Sequence, residues 1–254
     1  MAGSTGSAGS EGSMGSAIVV GVGASDGLGA AISRRFAREG LHVFLAGRTK
    51  EKLEAVAGEI EAAGGRASPV VTDTTVAGDV VRLFDAAAEG AGVPEVVAYN
   101  AGNNRMSPLL EMSDAFFEET WRLACFGGFL VGREAARRMV PSGGGSLIFT
   151  GATASLRARP PFTAFASAKA ALRALAHGMA REFGPQKLHV AHVVIDGVIN
   201  GEMVKNRFPG IVERFGEDGM LSPDAIAENW WTLHRQHPTT WTLELDLRPY
   251  KETF

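Results

Sequence analysis

The chain has 254 residues, 45% apolar and 21% charged, with a formal net charge of −3. That balance leaves no electrostatic footprint for nucleic acid or an anionic membrane, and the single cysteine, Cys125, excludes a disulfide framework or a multi-cysteine zinc site. No apolar run suits a membrane span and the N-terminus lacks a secretory h-region, so a cytoplasmic protein with one well-packed domain is expected.

Residues 1–16, MAGSTGSAGSEGSMGS, are Gly-Ser rich with nothing to bury. They read as a flexible appended linker with Met14 as the natural start, or else as a native disordered arm; the fold is expected in residues 17–254. AIVVG at 17–21 is a first β-branched strand, and a glycine cluster separates it from a helix over 28–39. A second strand covers 41–45, then a helix over 50–63 with Leu53, Val56 and Ile60 at helical spacing. Further strands fall at 67–71, 95–99, 146–150 and 188–195, with helices at 80–88, 116–139 and 162–183 between them. Ser222-Pro223-Asp224 supplies a cap, a proline at the first helical position and a first-turn acid, starting a helix that runs to about Arg235. A last strand is expected at 241–247. Strands apolar on both faces and separated by helices mean a parallel sheet covered on both sides. Right-handed crossovers make this a single-domain, doubly wound Rossmann-type α/β sheet of about seven strands.

The glycine cluster carries the first chemistry. Gly23-Ala24-Ser25-Asp26-Gly27-Leu28-Gly29 follows strand one and opens the first helix. Glycines there let backbone N–H groups approach a pyrophosphate at a helix N-terminus. A plain glycine-rich turn is the competing reading; the βαβ position favours the nucleotide.

With these residues go Asp73 after strand three, Asn100-Ala101-Gly102 after strand four, GSLIF at 145–149 and Lys169 in FASAK. Together, over about residues 15–235, the chain resembles a short-chain dehydrogenase/reductase of the classical type. The resemblance implies a nicotinamide cofactor, a small-molecule substrate and a homodimer or homotetramer built through the two long helices. Cofactor contacts are then expected from Gly23, Ser25, Asp26, Gly27, Leu28, Gly29, Arg48, Asp73, Asn100, Ala101, Gly102, Lys169, Gly197 and Val198. Strand two ends in Ala46-Gly47-Arg48, with glycine where an NAD-selecting acid would stand. Arg48 suits a 2′-phosphate by charge and fork geometry, so NADP(H) is favoured over NAD(H), against a solvated arginine as the alternative and with Asp26 as a mild argument against a nearby phosphate.

The catalytic positions depart from the family pattern. The Tyr-x-x-x-Lys pair is Phe165 and Lys169, the serine position falls on Ala152, and the helix-four asparagine on Ala124. Only Lys169 remains, and Asp196-Gly197 stands where the family has Pro-Gly. Phenylalanine cannot donate a proton, so the family's ordinary mechanism is closed. One reading is an oxidoreductase with altered chemistry, in which Lys169 and Asp196 are catalytic and Thr153, Ser155, Ser167 or Arg105 are replacement groups. Asp196 could equally cap Val198 or Ile199 as a turn acid. The other reading is a catalytically inactive NAD(P)-binding protein, a sensor or an oligomer partner.

The remaining candidates have plain structural readings. His189 and His192 lie three apart on a strand, on opposite faces; no His or acidic cluster has metal spacing, so no metal is expected. His234 and His237 suit a helix end, and Trp230, Trp231 and Trp241 a core or subunit interface. Residues 198–221, with Met203, Phe208, Ile211, Val212 and Phe215, are placed by the resemblance as a substrate lid. Ala164, Ala168, Ala171, Ala174 and Gly178 form a small-residue stripe that permits close helix approach.

Overall fold

The computed structural model describes residues 15–102 and 104–252. The Gly-Ser segment up to residue 14 lies outside them. Seven strands form one sheet: β1 (Ser16–Val20), β2 (His42–Gly47), β3 (Arg66–Val71), β4 (Val96–Tyr99), β5 (Gly145–Thr150), β6 (Leu188–Ile195) and β7 (Glu244–Leu247). Their order is β3-β2-β1-β4-β5-β6-β7, and every neighbouring pair is parallel. This is the expected single-domain Rossmann-type sheet.

The sheet is buried because both pleat faces are apolar. On β1, Ala17 and Val19 pack toward α1 (Leu28–Arg38), α2 (Lys50–Ala62) and α9 (Pro223–His234), whose Trp230 is fully buried. Ile18 and Val20 point the other way, into α3 (Ala77–Ala91), α5 (Gly127–Met139) and α6 (Thr163–Phe183). This period-2 division into two layers is what a two-faced strand requires.

Element boundaries moved in three informative places. The helix expected at 80–88 extends over α3, Ala77–Ala91. The helix expected at 116–139 starts earlier, as α4 (Asp114–Trp121), and joins α5 through a π turn at Arg122–Phe126. The last strand is shorter than 241–247, because Trp241 is taken by a flat stack on His189, ring centroids 4.9 Å apart. Residues 198–221 hold two short helices, α7 (Glu202–Arg207) and α8 (Ile211–Phe215). The base of this excursion is pinned where Leu221 N–H donates to Val198 and Asn200 N–H donates to Leu221, both at 2.8 Å. Met203, Phe208 and Val212 are exposed on it instead of packing onto the sheet.

Candidate functional site

The carboxyl ends of β1 and β4 part at the point where strand order reverses, the place where open α/β sheets bind ligands. A cleft of about 200 Å³ lies there, lined by Gly21, Gly23, Arg48, Lys52, Asp73 and Asn100 among others. A larger hollow of about 650 Å³, near Gly40 and Gly65, opens beside residues that precede β2 and β3, at the opposite ends of the strands.

Backbone-to-backbone approach shapes the cleft. Gly21 has φ +86°, and a Cβ there would stand 2.6 Å from the Ala101 nitrogen. A Cβ on Gly29 would meet the Gly21 carbonyl oxygen at 2.6 Å, and one on Gly47 would meet the Val22 carbonyl oxygen at 2.4 Å. The end of β2 therefore cannot carry a carboxylate at position 47 without backbone movement. Gly27 caps α1 without a side-chain bond, so the first N–H groups of that helix are open to an anion. Asn100 ties the two diverging strands together, its N–H donating to Val20 at 2.9 Å and its amide to Gly21 at 3.3 Å. Asp73 spends one oxygen on the Thr75 N–H and hydroxyl, which fixes the loop after β3 at the cleft wall. The uncapped N-terminus of α1 and these cleft walls suit the phosphate and ribose groups of a nucleotide.

Arg48 makes no hydrogen bond or ion pair with the described residues, and neither does Lys52 beside it on α2. Two free cations thus line the β2 end; the sequence reading found Arg48 and missed Lys52, although its position in the first turn of α2 was legible. The Ser25 hydroxyl turns to Glu59 and its carbonyl accepts from Arg34 at 2.8 Å. The Asp26 carboxylate accepts from the Glu202 N–H at the start of α7, linking the glycine loop to the 198–221 excursion.

Lys169 lies at the β4–β5 side. Its side chain is buried, and Nζ donates to the Thr150 carbonyl at 2.7 Å. A methyl group on Gly102 would stand 3.1 Å from that nitrogen. Burial pushes the ammonium down to about 8. One turn earlier on the same face, the Phe165 ring lies 5.8 Å from Nζ, so an aromatic side chain is in place without a hydroxyl. Ala152 begins the turn after β5, and Ala124 is buried in the π turn.

Asp196 is neither a free base nor a cap for Val198 or Ile199. Its buried carboxylate accepts from the Thr153 hydroxyl at 2.5 Å and from Arg157 Nη2 at 3.1 and 3.0 Å, and Arg248 lies 3.3 Å away. Gly197, φ +152°, brings the chain past Pro249, where a Cβ would come within 2.9 Å. Gly197 and Val198 sit at the end of β6, two strands from β4.

The π turn has its own support. The buried Tyr99 phenol donates to the Leu123 carbonyl at 2.5 Å, and a Cβ on Gly127 would collide with that hydroxyl at 2.6 Å. Burial raises the Tyr99 hydroxyl far above its ordinary range, so it stays a neutral donor. A π turn leaves carbonyls without their usual helical partner. Tyr99→Phe is therefore expected to cost about 1–3 kcal/mol, read as a lower urea midpoint at unchanged m-value.

The tertiary structure also assembles a cluster that sequence spacing could not show. His177 on α6, His192 on β6 and Glu244 on β7 place ligand-type atoms within 4.8 Å of one another. Arg173 grips both Glu244 oxygens at 2.6 and 2.7 Å, while His192 Nδ1 and His177 Nε2 lie 3.0 and 3.1 Å from Oε2. The carboxylate is thus neutralised by a guanidinium and surrounded by donors. His234 pairs with Ser146 at 3.0 Å, a packing role at the end of α9.

A family model described as short chain dehydrogenase matches residues 17–211. The chain is 37% identical over 185 residues to an uncharacterized oxidoreductase of Bacillus subtilis, YuxG, covering 72% of this chain but only 27% of that protein. The crystal structure of a short-chain dehydrogenase from Rhodopseudomonas palustris superposes with a TM-score of 0.79 at 40% identity, over 93% of this chain and 99% of that one. An alcohol dehydrogenase from the archaeon Thermococcus sibiricus, complexed with 5-hydroxy-NADP, superposes with a TM-score of 0.83 at 26% identity, over 94% of this chain and 98% of that one. Among the described residues no helix is long and apolar enough to cross a membrane.

Proposed function

The chain belongs to the short-chain dehydrogenase family, and from that premise we propose that it is an NADP(H)-dependent oxidoreductase acting on a small or medium carbonyl or alcohol, with Lys169 handling the proton. The observation that carries the reading is the position and burial of Lys169. It is a titratable group at the cleft end of β5, held by the Thr150 carbonyl and poised near neutral pH. When bound, the nicotinamide supplies or accepts the hydride. The chain's own residues do the rest. The clear space at Gly23 and the uncapped N-terminus of α1 at Gly27 leave room for the pyrophosphate, Asp73 and the Asn100-Ala101-Gly102 turn wall the nucleotide, and Lys169 Nζ gives a proton to the developing alkoxide or takes it back. Phe165 has no hydroxyl to compete for that role. The 198–221 excursion, latched to Asp26, serves as the lid, and its exposed Met203, Phe208 and Val212 suit an apolar portion of substrate.

Two observations support NADP(H) over NAD(H): the free Arg48 and Lys52, and the close backbone at position 47, where an acid would need the chain to move. The NADP named for the Thermococcus relative agrees with it. Arg48→Ala is expected to weaken NADPH by about 1–3 kcal/mol, as for a charge-assisted pair, with NADH unchanged; fluorescence titration of both cofactors measures this. Ala174 and Gly178 point outward on α6, with open space beside Gly178, which accommodates a helix of a second copy in a homodimer or homotetramer. The cytoplasmic setting expected from the sequence goes with this reading.

A panel of carbonyls and alcohols with NADPH or NADP+ tests the whole. Turnover that disappears in Lys169→Met supports the proposal. NADPH binding with no turnover across the panel would instead favour a cofactor-binding sensor or oligomer partner.

A further inference from the structure

The Asp196 cluster is unexplained by hydride chemistry, yet it is built. A buried carboxylate at the end of β6 clamps the Arg157 guanidinium through Nη2 on both oxygens, backed by the Thr153 hydroxyl and by Arg248. Arg248 is itself engaged by Asp246. Nε and Nη1 of Arg157 have no partner among the described residues, and about a third of the side chain faces solvent. The cluster adjoins the proton site. Lys169 is bonded to the Thr150 carbonyl and Thr153 to Asp196, so three residues of chain, about 10 Å at most, separate the two anchor points. Leu156, next to Arg157, is exposed and apolar.

We propose that Arg157, held in place by Asp196, binds a carboxylate of the substrate, so that this chain prefers a carbonyl or alcohol bearing a carboxylate beside an apolar group. A guanidinium whose Nη2 is held by Asp196 still presents Nε–H on one edge and Nη1–H on another, each able to donate a charge-assisted bond to an anion, and Asp196 acts as its positioning residue. The inference rests on the oxidoreductase reading only in calling the anion substrate; the binding itself is measurable without turnover.

The test is calorimetric titration of the protein, with and without NADPH, using benzoylformate and its methyl ester. Wild type is expected to bind benzoylformate at least tenfold more tightly than the ester. Arg157→Gln should abolish that difference, and Arg157→Lys should retain part of it, with NADPH affinity unchanged in both. If Arg157→Gln leaves Asp196 too exposed electrostatically to fold, Arg157→Gln with Asp196→Asn removes both charges and should show the same loss. Equal binding of acid and ester by wild type, or a preference that survives removal of Arg157, overturns the proposal. Failure of NADPH to bind at all would count against the oxidoreductase reading and leave the acid-versus-ester result standing on its own.

Discussion

Lys169→Met is expected to lower kcat/KM for carbonyl reduction by about 10²–10⁴, the contribution of a positioned acid, while NADPH still binds. The pH profile carries the sign. With the ammonium pushed down to about 8, reduction by the wild type should fall as pH rises through 8, because the donor is lost, and alcohol oxidation should fall as pH drops below 8, because the acceptor is already filled. Stability shifts in a linked way. Between about 8 and the ordinary lysine value of 10.5 the unfolded chain holds the proton that the folded chain has lost, so stability rises with pH across that window. Below 8 both states are protonated and the folded one bears the full cost of a buried ammonium, on the order of 3 kcal/mol. Lys169→Met should therefore be more stable than wild type near pH 7, with the gap closing toward pH 10.5. Turnover that is unaffected by the substitution would show the proton comes from elsewhere.

Glu244→Ala is expected to destabilise the fold by about 1–3 kcal/mol, the loss of charge-assisted hydrogen bonds at a half-buried carboxylate. The carboxylate joins α6, β6 and β7 at once, through Arg173, His177 and His192. Chemical unfolding should show the loss, and Glu244→Gln should recover only part of it, since an amide accepts bonds without charge. Acid titration should separate two steps. Burial holds His192 down to about 4, so between its ordinary 6.5 and 4 the unfolded chain binds a proton the folded chain does not, and stability falls on acidification. The Arg173 hydrogen bonds hold Glu244 down to about 2, so its contribution is present above 4.5 and is lost as pH falls through 2. His192→Asn should remove the first limb and leave the second, in melts between pH 7 and 3.

The residue order alone determined the sheet and the nucleotide cleft. Period-2 apolar strands between amphipathic helices give a layered sheet, and Gly27 and Gly29 act within the local turn, which is written in sequence, whereas Gly21 answers the approach of Ala101 from the end of β4. Arg48, Asp73 and Asn100 follow directly after their strands, so the topology that sets strand order also sets them at the cleft. The absence of a phenol at 165 and a hydroxyl at 152 was equally legible, being a matter of identity at a position. What only the tertiary structure decided are the partners brought from distant segments. Asp196 read as a free base or a turn cap until Thr153, Arg157 and Arg248 closed on it. His192 read as a structural histidine on the strand face opposite His189, and its partners appeared only when α6 and β7 delivered His177, Arg173 and Glu244. Asp26 read as a mild argument against a nearby phosphate, whereas in the fold its carboxylate accepts from the Glu202 N–H of the 198–221 excursion. Charge and hydrogen bonding act over a few ångströms, so the role of an ionisable side chain is fixed by whichever neighbours the packing places there, and no spacing along the chain records them.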